Sequence, residues 1–270
     1  MSTLGDEASR RVADHVPVTP WSAVGRAERD LPSWVLTADR GSLASASVEC
    51  AHLSGAELEE AAYCAFASAL RGLDRAPMRV WSFLPRITEP DVDGMDRYMC
   101  MNRGRARAYR AASLPFIPAG TCTGHAGSDL VIHALAGKPG ALPVENPRQR
   151  PAWSYTARFG PQPPPFTRGV IADRVLVASG TASVVGEETM HRDRPRRQWE
   201  ETIRNLESLA SAASARGLWR CMRVYVREPG QVDLFAGLAR ESFGDEVESL
   251  LVAPLCRKDL LVEVEGINHA

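Results

Sequence analysis

A chain of 270 residues, 44% of them hydrophobic, is long enough to bury one large core or two smaller ones. Its net charge of -1 excludes a general attraction to polyanions, so nucleic acid is not an expected partner. No stretch is long and apolar enough for a membrane-spanning helix, and residues 1–40 hold no apolar leader, so no membrane association is expected.

The six cysteines, Cys50, Cys64, Cys100, Cys122, Cys221 and Cys256, form no CxxC or Cys/His metal pattern. Free thiols in a reducing cytoplasm, and no bound metal, are the expectation. Lysine occurs only at Lys138 and Lys258. Every other basic side chain is arginine, whose planar fork suits carboxylates.

Residues 1–40 are poorly periodic, and Pro17 and Pro20 interrupt a partly ordered segment expected over 9–30. A strand is expected over 45–53. Ser54 and Glu57 have capping-box spacing and open a helix in which Leu58, Ala62, Ala65, Phe66, Ala69 and Leu70 share a face. A strand over 78–84 follows, then a helix over 96–112 with Gly104 in its interior, then strands over 117–123 and 129–135. A loop rich in Pro, Asn and Gln, 137–150, divides the expected halves 1–140 and 141–270. The second half reads as strands over 155–159, 168–171 and 175–179. A helix over 196–213 turns Trp199, Ile203, Leu206 and Ala210 inward. A strand over 222–226, a helix over 232–240 and strands over 249–254 and 260–264 complete the set.

Each half thus runs strand, long helix, strand, helix, strand, strand, the outline of a tandem duplication. Asp129-Leu-Val-Ile-His133 aligns with Asp259-Leu-Leu-Val-Glu263, so His133 stands where Glu263 stands. The expected class is α+β: antiparallel sheets, each with helices packed on one face.

Glu263 continues an apolar run where a carboxyl is costly unless paired or protonated. Desolvation would raise its pKa and make it a candidate proton donor near neutral pH. Cys256 lies seven residues earlier and leads into the same strand. Tyr98, Asn102, Arg105 and Tyr109 fall at i, i+4, i+7 and i+11 and share one helix face. That face is either a solvated polar surface or a wall of donors for an anionic ligand. Tyr155 and Arg168 flank a proline-rich turn, 161–165. His133 and His191 read as structural, and Glu187 and Glu188 beside His191 point in different directions along a strand, against metal binding.

Ser179-Gly180, Asn205-Leu206 and the closing Leu261-Val-Glu-Val-Glu265 resemble the reactive intermediate deaminase superfamily. Seven segments in order resemble, more narrowly, its chorismate-hydrolysing relatives, the chorismatases. They are 79–87 (Arg-Val-Trp-Ser-Phe-Leu-Pro-Arg-Ile), 96–99 through Gly104-Arg105, 144–149 (Val-Glu-Asn-Pro-Arg-Gln), Tyr155 through Phe159-Gly160-Pro161, 165–168 (Pro-Phe-Thr-Arg), 179–183 (Ser-Gly-Thr-Ala-Ser), and Cys256-Arg257 through Glu263.

The resemblance implies two tandem deaminase-like (chorismate mutase-like) halves, the first shortened, in a monomer or trimer. It implies cofactor-free cleavage of the enolpyruvyl ether of chorismate, or a close relative, to pyruvate plus 3-hydroxybenzoate. Glu263 maps onto the family's catalytic glutamate. Cys256 matches the cysteine of the 3-hydroxybenzoate branch, and Ala182 lies near a position that helps choose the product. Tyr98, Arg105, Tyr155 and Arg168 are the implied substrate-binding residues. Alternatives are a dihydroxycyclohexadiene acid as product, or a non-catalytic ligand-binding protein. Three departures stand out: no lysine precedes Lys138, Phe159 replaces a usual tyrosine, and the cysteine branch often has glycine where Ala182 stands. Glu248 occupies the place of the deaminases' carboxylate-binding arginine, which counts against imine hydrolysis.

Overall fold

Strands that bury both faces and helices that bury one face stack this chain into four layers: helices, sheet, sheet, helices. The computed structural model describes residues 18–20, 31–35 and 42–269. Most of the partly ordered segment expected over 9–30 lies outside the described residues; β1 (Val18–Pro20) falls within them.

The first half comprises β2 (Leu43–Glu49), α1 (Gly55–Arg71), β3 (Pro77–Pro85), α2 (Arg97–Ala111), β4 (Ala119–His125) and β5 (Asp129–Ala136). The second begins with β6 (Leu142–Val144), β7 (Gly169–Ala172), β8 (Val175–Ala178), β9 (Thr181–Ala182) and a hairpin of β10 (Val184–Val185) and β11 (Glu188–Thr189). It closes with α3 (Pro195–Ala212), β12 (Trp219–Val226), α4 (Val232–Phe243), β13 (Val247–Val252) and β14 (Val262–His269).

The first sheet runs β2-β5-β3-β4. The second runs β1-β13-β12-β14-β8-β7-β6, with β9 also on β14. The order β8-β14-β12-β13 repeats β2-β5-β3-β4, so the duplication is real at the level of topology. Register agrees: His133 pairs with Trp81 as Glu263 pairs with Tyr225. Pairing is mainly antiparallel, but β3 with β4, and β13 with β12 and β1, run parallel.

Trp81, Phe83, Leu135, Val177, Tyr225 and Leu251 pack between the sheets. Leu58, Phe66, Val80, Ile132 and Met101 fill the space under α1 and α2, and Leu206, Phe235, Val224 and Val264 do so under α3 and α4. The period-3.6 reading of α1 holds, since Leu58, Ala62, Ala65, Phe66 and Ala69 are buried. Gly104 lies where α2 crosses α1: a Cβ there would sit 2.2 Å from Glu59 O. The residue that weakens the helix in isolation permits the helix contact.

Three expectations are corrected. Residues 155–159 form no strand; two 3-10 turns, Ala152–Ser154 and Ala157–Phe159, occupy that stretch, which prolines on both sides keep out of a ladder. Ser54 is the N-cap of α1, but its side chain makes no capping bond. Asp91 Oδ1 instead accepts from Gly55 N at 2.9 Å. The last strand starts at Val262, not at 260.

The Ser-Gly and Asn motifs join the halves and fix β9. Ser179 Oγ accepts from Gly120 N (2.8 Å) and donates to Thr167 O (2.5 Å). Asn205 Nδ2 donates to the carbonyls of Ala182 and Val184. Bridges Ala119–Thr167 and Thr123–Leu255 bring second-half segments against β4. A cavity opens beside that junction.

Candidate functional site

The cavity has a volume of about 600 Å³, within the roughly 300–1,000 Å³ usual for small-molecule sites. The seven residues that the resemblance marks as catalytic or substrate-binding, Tyr98, Arg105, Tyr155, Arg168, Ala182, Cys256 and Glu263, line it, whereas Asn102 and Tyr109 of the same α2 face do not. No helix among the described residues is long and apolar enough to cross a membrane.

Glu263 is contributed by β14 and is 4% exposed. Burial, and then repulsion from Glu265 two residues on, push its carboxyl up to about 8; Arg79, Arg168 and Arg257 pull the other way. It therefore carries its proton at neutral pH while lining an open cavity, the state a general acid requires. Close approach here needs a glycine: a Cβ at Gly180 would lie 1.9 Å from Glu263 Oε1.

Helix α2 forms one wall. Tyr98 and Arg105 reach the cavity from the face predicted as either solvated or donor-rich, and that face is not solvated. Arg105 is 1% exposed, with its guanidinium over the Phe66 and Tyr109 rings. Its Nε donates to Tyr109 Oη (2.9 Å), so Tyr109 orients the arginine rather than lining the cavity. Its Nη2 has no hydrogen-bond partner among the described residues. Burial holds the Tyr98 phenol well above its ordinary range, so it remains a neutral donor.

The second half contributes an aromatic and cationic part of the lining. Arg168 Nη2 donates to Tyr155 Oη (2.6 Å) and Arg150 O (2.8 Å), and its buried Nε has no partner among the described residues. Tyr155 packs on Phe159 with ring centroids 5.0 Å apart. Arg257 lies over Phe159 (4.1 Å) and donates to Glu187 O (2.8 Å). Two guanidiniums with unmade hydrogen bonds, both lining one cavity, suit a ligand that carries carboxylates.

Cys256 lies in the β13–β14 connection. Burial, and then the Glu263 carboxyl, push its thiol up to about 12, so it is a neutral thiol and not a thiolate nucleophile. Cys122 on β4 also lines the cavity, and burial pushes its thiol well up.

Residues 20–136 match the family model described as chorismatase FkbO/Hyg5-like, N-terminal. The chain is 35% identical over 211 residues to a 3-hydroxybenzoate synthase of Streptomyces hygroscopicus, covering 70% of this chain and 62% of the relative. The chain resembles the chorismatases. A chorismatase of Streptomyces rapamycinicus is 30% identical over 209 residues, covering 70% of this chain and 63% of that one. The chain thus spans a little over three-fifths of the length of these curated relatives. A crystal structure of a chorismatase shares the fold, with a TM-score of 0.72 at 24% identity, over 84% of this chain and 75% of that chain.

His133, expected to be structural, is fully buried in the core. Its Nδ1 is 2.7 Å from Ser45 Oγ, and its ring packs on Phe83. Glu187 accepts from Thr156 N and Oγ1, closing a loop. Sequence reasoning missed Cys122, Phe166 and Gln149 as lining residues. It also missed the buried cluster of Arg79, Trp81, Thr121, Tyr225 and Arg223 around Glu265. The tandem register was the available signal: Arg79 and Arg223 are equivalent positions, and both turn toward Glu265.

Proposed function

We propose that this chain cleaves the enolpyruvyl ether of chorismate to pyruvate and 3-hydroxybenzoate without a cofactor. The observation that carries the reading is a proton-bearing Glu263 facing an arginine-flanked cavity in a chain similar to chorismatases.

Glu263 gives its proton to the methylene carbon of the enol ether. The electron pair of the double bond forms the new C–H bond, and an oxocarbenium-like centre is left beside a newly ionised carboxylate. Water adds to that centre, and the resulting hemiketal breaks its ring-oxygen bond to release pyruvate. The ring acid then loses one water and aromatises to 3-hydroxybenzoate, so no net water is consumed. Arg105 and Arg168 hold the substrate carboxylates, Tyr98 and Tyr155 donate hydrogen bonds, and the neutral Cys256 thiol steers the ring-side step. Ala182 supports product choice. Residues 1–140 supply the α2 wall and residues 141–270 the acid. Six free thiols suit a cytoplasmic setting.

Ala182, where the cysteine branch often has glycine, favours a second reading: release of the dihydroxycyclohexadiene acid before aromatisation, with one water consumed. Incubation with chorismate, a coupled pyruvate assay and product chromatography test both. Pyruvate release that is lost in Glu263→Gln supports the proposal. No pyruvate above that variant's level refutes it.

A further inference from the structure

Strand β14 carries a second carboxylate two residues beyond Glu263. Glu265 shares its face of the strand, as alternation requires, and is 2% exposed. Five side chains from β3, β4 and β12 converge on it. Arg79 Nη2 (2.6 Å), Trp81 Nε1 (3.1 Å), Thr121 Oγ1 (2.5 Å) and Tyr225 Oη (3.0 Å) donate to it, and Arg223 Nη1 lies 3.6 Å away. Two guanidiniums and three neutral donors stabilise a carboxylate, which only accepts, over a carboxylic acid.

Thr121 Oγ1 also accepts from Gly180 N at 2.9 Å. Gly180 is the backbone against which the Glu263 carboxyl rests. A continuous chain therefore runs from Glu265 through Thr121 to the wall behind Glu263.

We propose that Glu265 is a positioning residue for Glu263: a fixed, ionised carboxylate that keeps its neighbour in the proton-bearing form and, through Thr121, sets the surface it rests on. The inference rests on the reading of Glu263 as general acid. The groups bearing on Glu263 are Arg79 from β3, Cys122 from β4, Arg168 before β7, and Arg257 and Cys256 from the β13–β14 connection. Three guanidiniums favour ionisation; burial and Glu265 oppose them and prevail. Glu265 is the one carboxylate among the leading influences on Glu263, and its own partners leave it no route to move away.

The test is a carboxyl carbon NMR titration of the whole chain labelled at glutamate, with Glu263→Gln and Glu265→Gln supplying assignments. In the unsubstituted protein, Glu263 titrates near 8. A Glu265 that is protonated while Glu263 is ionised overturns the inference. In Glu265→Gln, Glu263 titrates about one pH unit or more lower, and the alkaline fall in pyruvate release moves with it. A merely structural role lowers the rate without moving that limb, and an unmoved Glu263 titration overturns the inference. If Glu265→Gln fails to fold because Arg79 and Arg223 are left buried, the titration of the unsubstituted protein decides. Absence of pyruvate release refutes the general-acid reading alone, since the titration is read without turnover.

Discussion

Ala182 lies directly opposite Glu263 across the β9–β14 pair. Cross-strand neighbours sit about 4.5–5.5 Å apart at Cβ, so the methyl of Ala182 borders the space in which the acid moves. Asn205 holds β9 in place through the Ala182 and Val184 carbonyls. Ala182→Val adds volume to a buried position, at a cost of about 1–3 kcal/mol, and displaces the carboxyl. The pyruvate-release rate falls about tenfold or more, whereas Ala182→Gly keeps the rate and changes the product ratio on chromatography. A valine variant with native rate and product counts against this role.

Arg105 presents a buried Nη2 without a partner among the described residues. A charge-assisted hydrogen bond to a substrate carboxylate is worth about 1.5–3 kcal/mol. Arg105→Met therefore raises KM for chorismate about tenfold to a hundredfold, as steady-state kinetics would record. An unchanged KM would move the carboxylate site elsewhere.

Cys256, with its thiol held at about 12, is a poor nucleophile at neutral pH despite lining the cavity. Alkylation with iodoacetamide near neutral pH, followed by mass spectrometry, labels exposed Cys64 well before Cys256. Cys256→Ala retains pyruvate release and alters the ring product. Fast labelling of Cys256 would point to a thiolate instead.

Glu263 also links stability to pH. Its pKa rises from the ordinary 4.5 to about 8 on folding, so the folded chain binds the proton more tightly than the unfolded chain. The contribution is complete below about 4.5 and is lost progressively as pH climbs to about 8, at up to roughly 1.4 kcal/mol per pH unit. Glu263→Gln lacks this dependence. Denaturant unfolding across that window should show the variant gaining on the unsubstituted protein as pH rises. A constant difference between the two would mean that Glu263 ionises normally in the folded state.

The repeated element order was legible because both halves use period-3.6 helices and short strands punctuated by turns. The seven cavity residues were legible because the motif segments that carry them converge at the junction of the sheets. The 155–159 stretch was misread because alternating Tyr155 and Ala157 mimic a strand, and only the neighbouring prolines betray the turns. The Arg79–Glu265 cluster was invisible because its members lie up to 186 positions apart. Chain periodicity shows which face a residue takes, but not which distant side chain meets it. The parallel pairing of β3 with β4 escaped for the same reason, since strand direction depends on where α2 returns the chain.

The most direct measurement is the pH dependence of single-turnover pyruvate release from chorismate, with Glu263→Gln as baseline. Expected is a rate that holds level through neutral pH and falls about tenfold per unit above about 8, as the proton on Glu263 is lost, with no such limb in the variant. A rate that instead climbs as pH rises through neutrality, or one that Glu263→Gln leaves intact, contradicts a proton-donating Glu263.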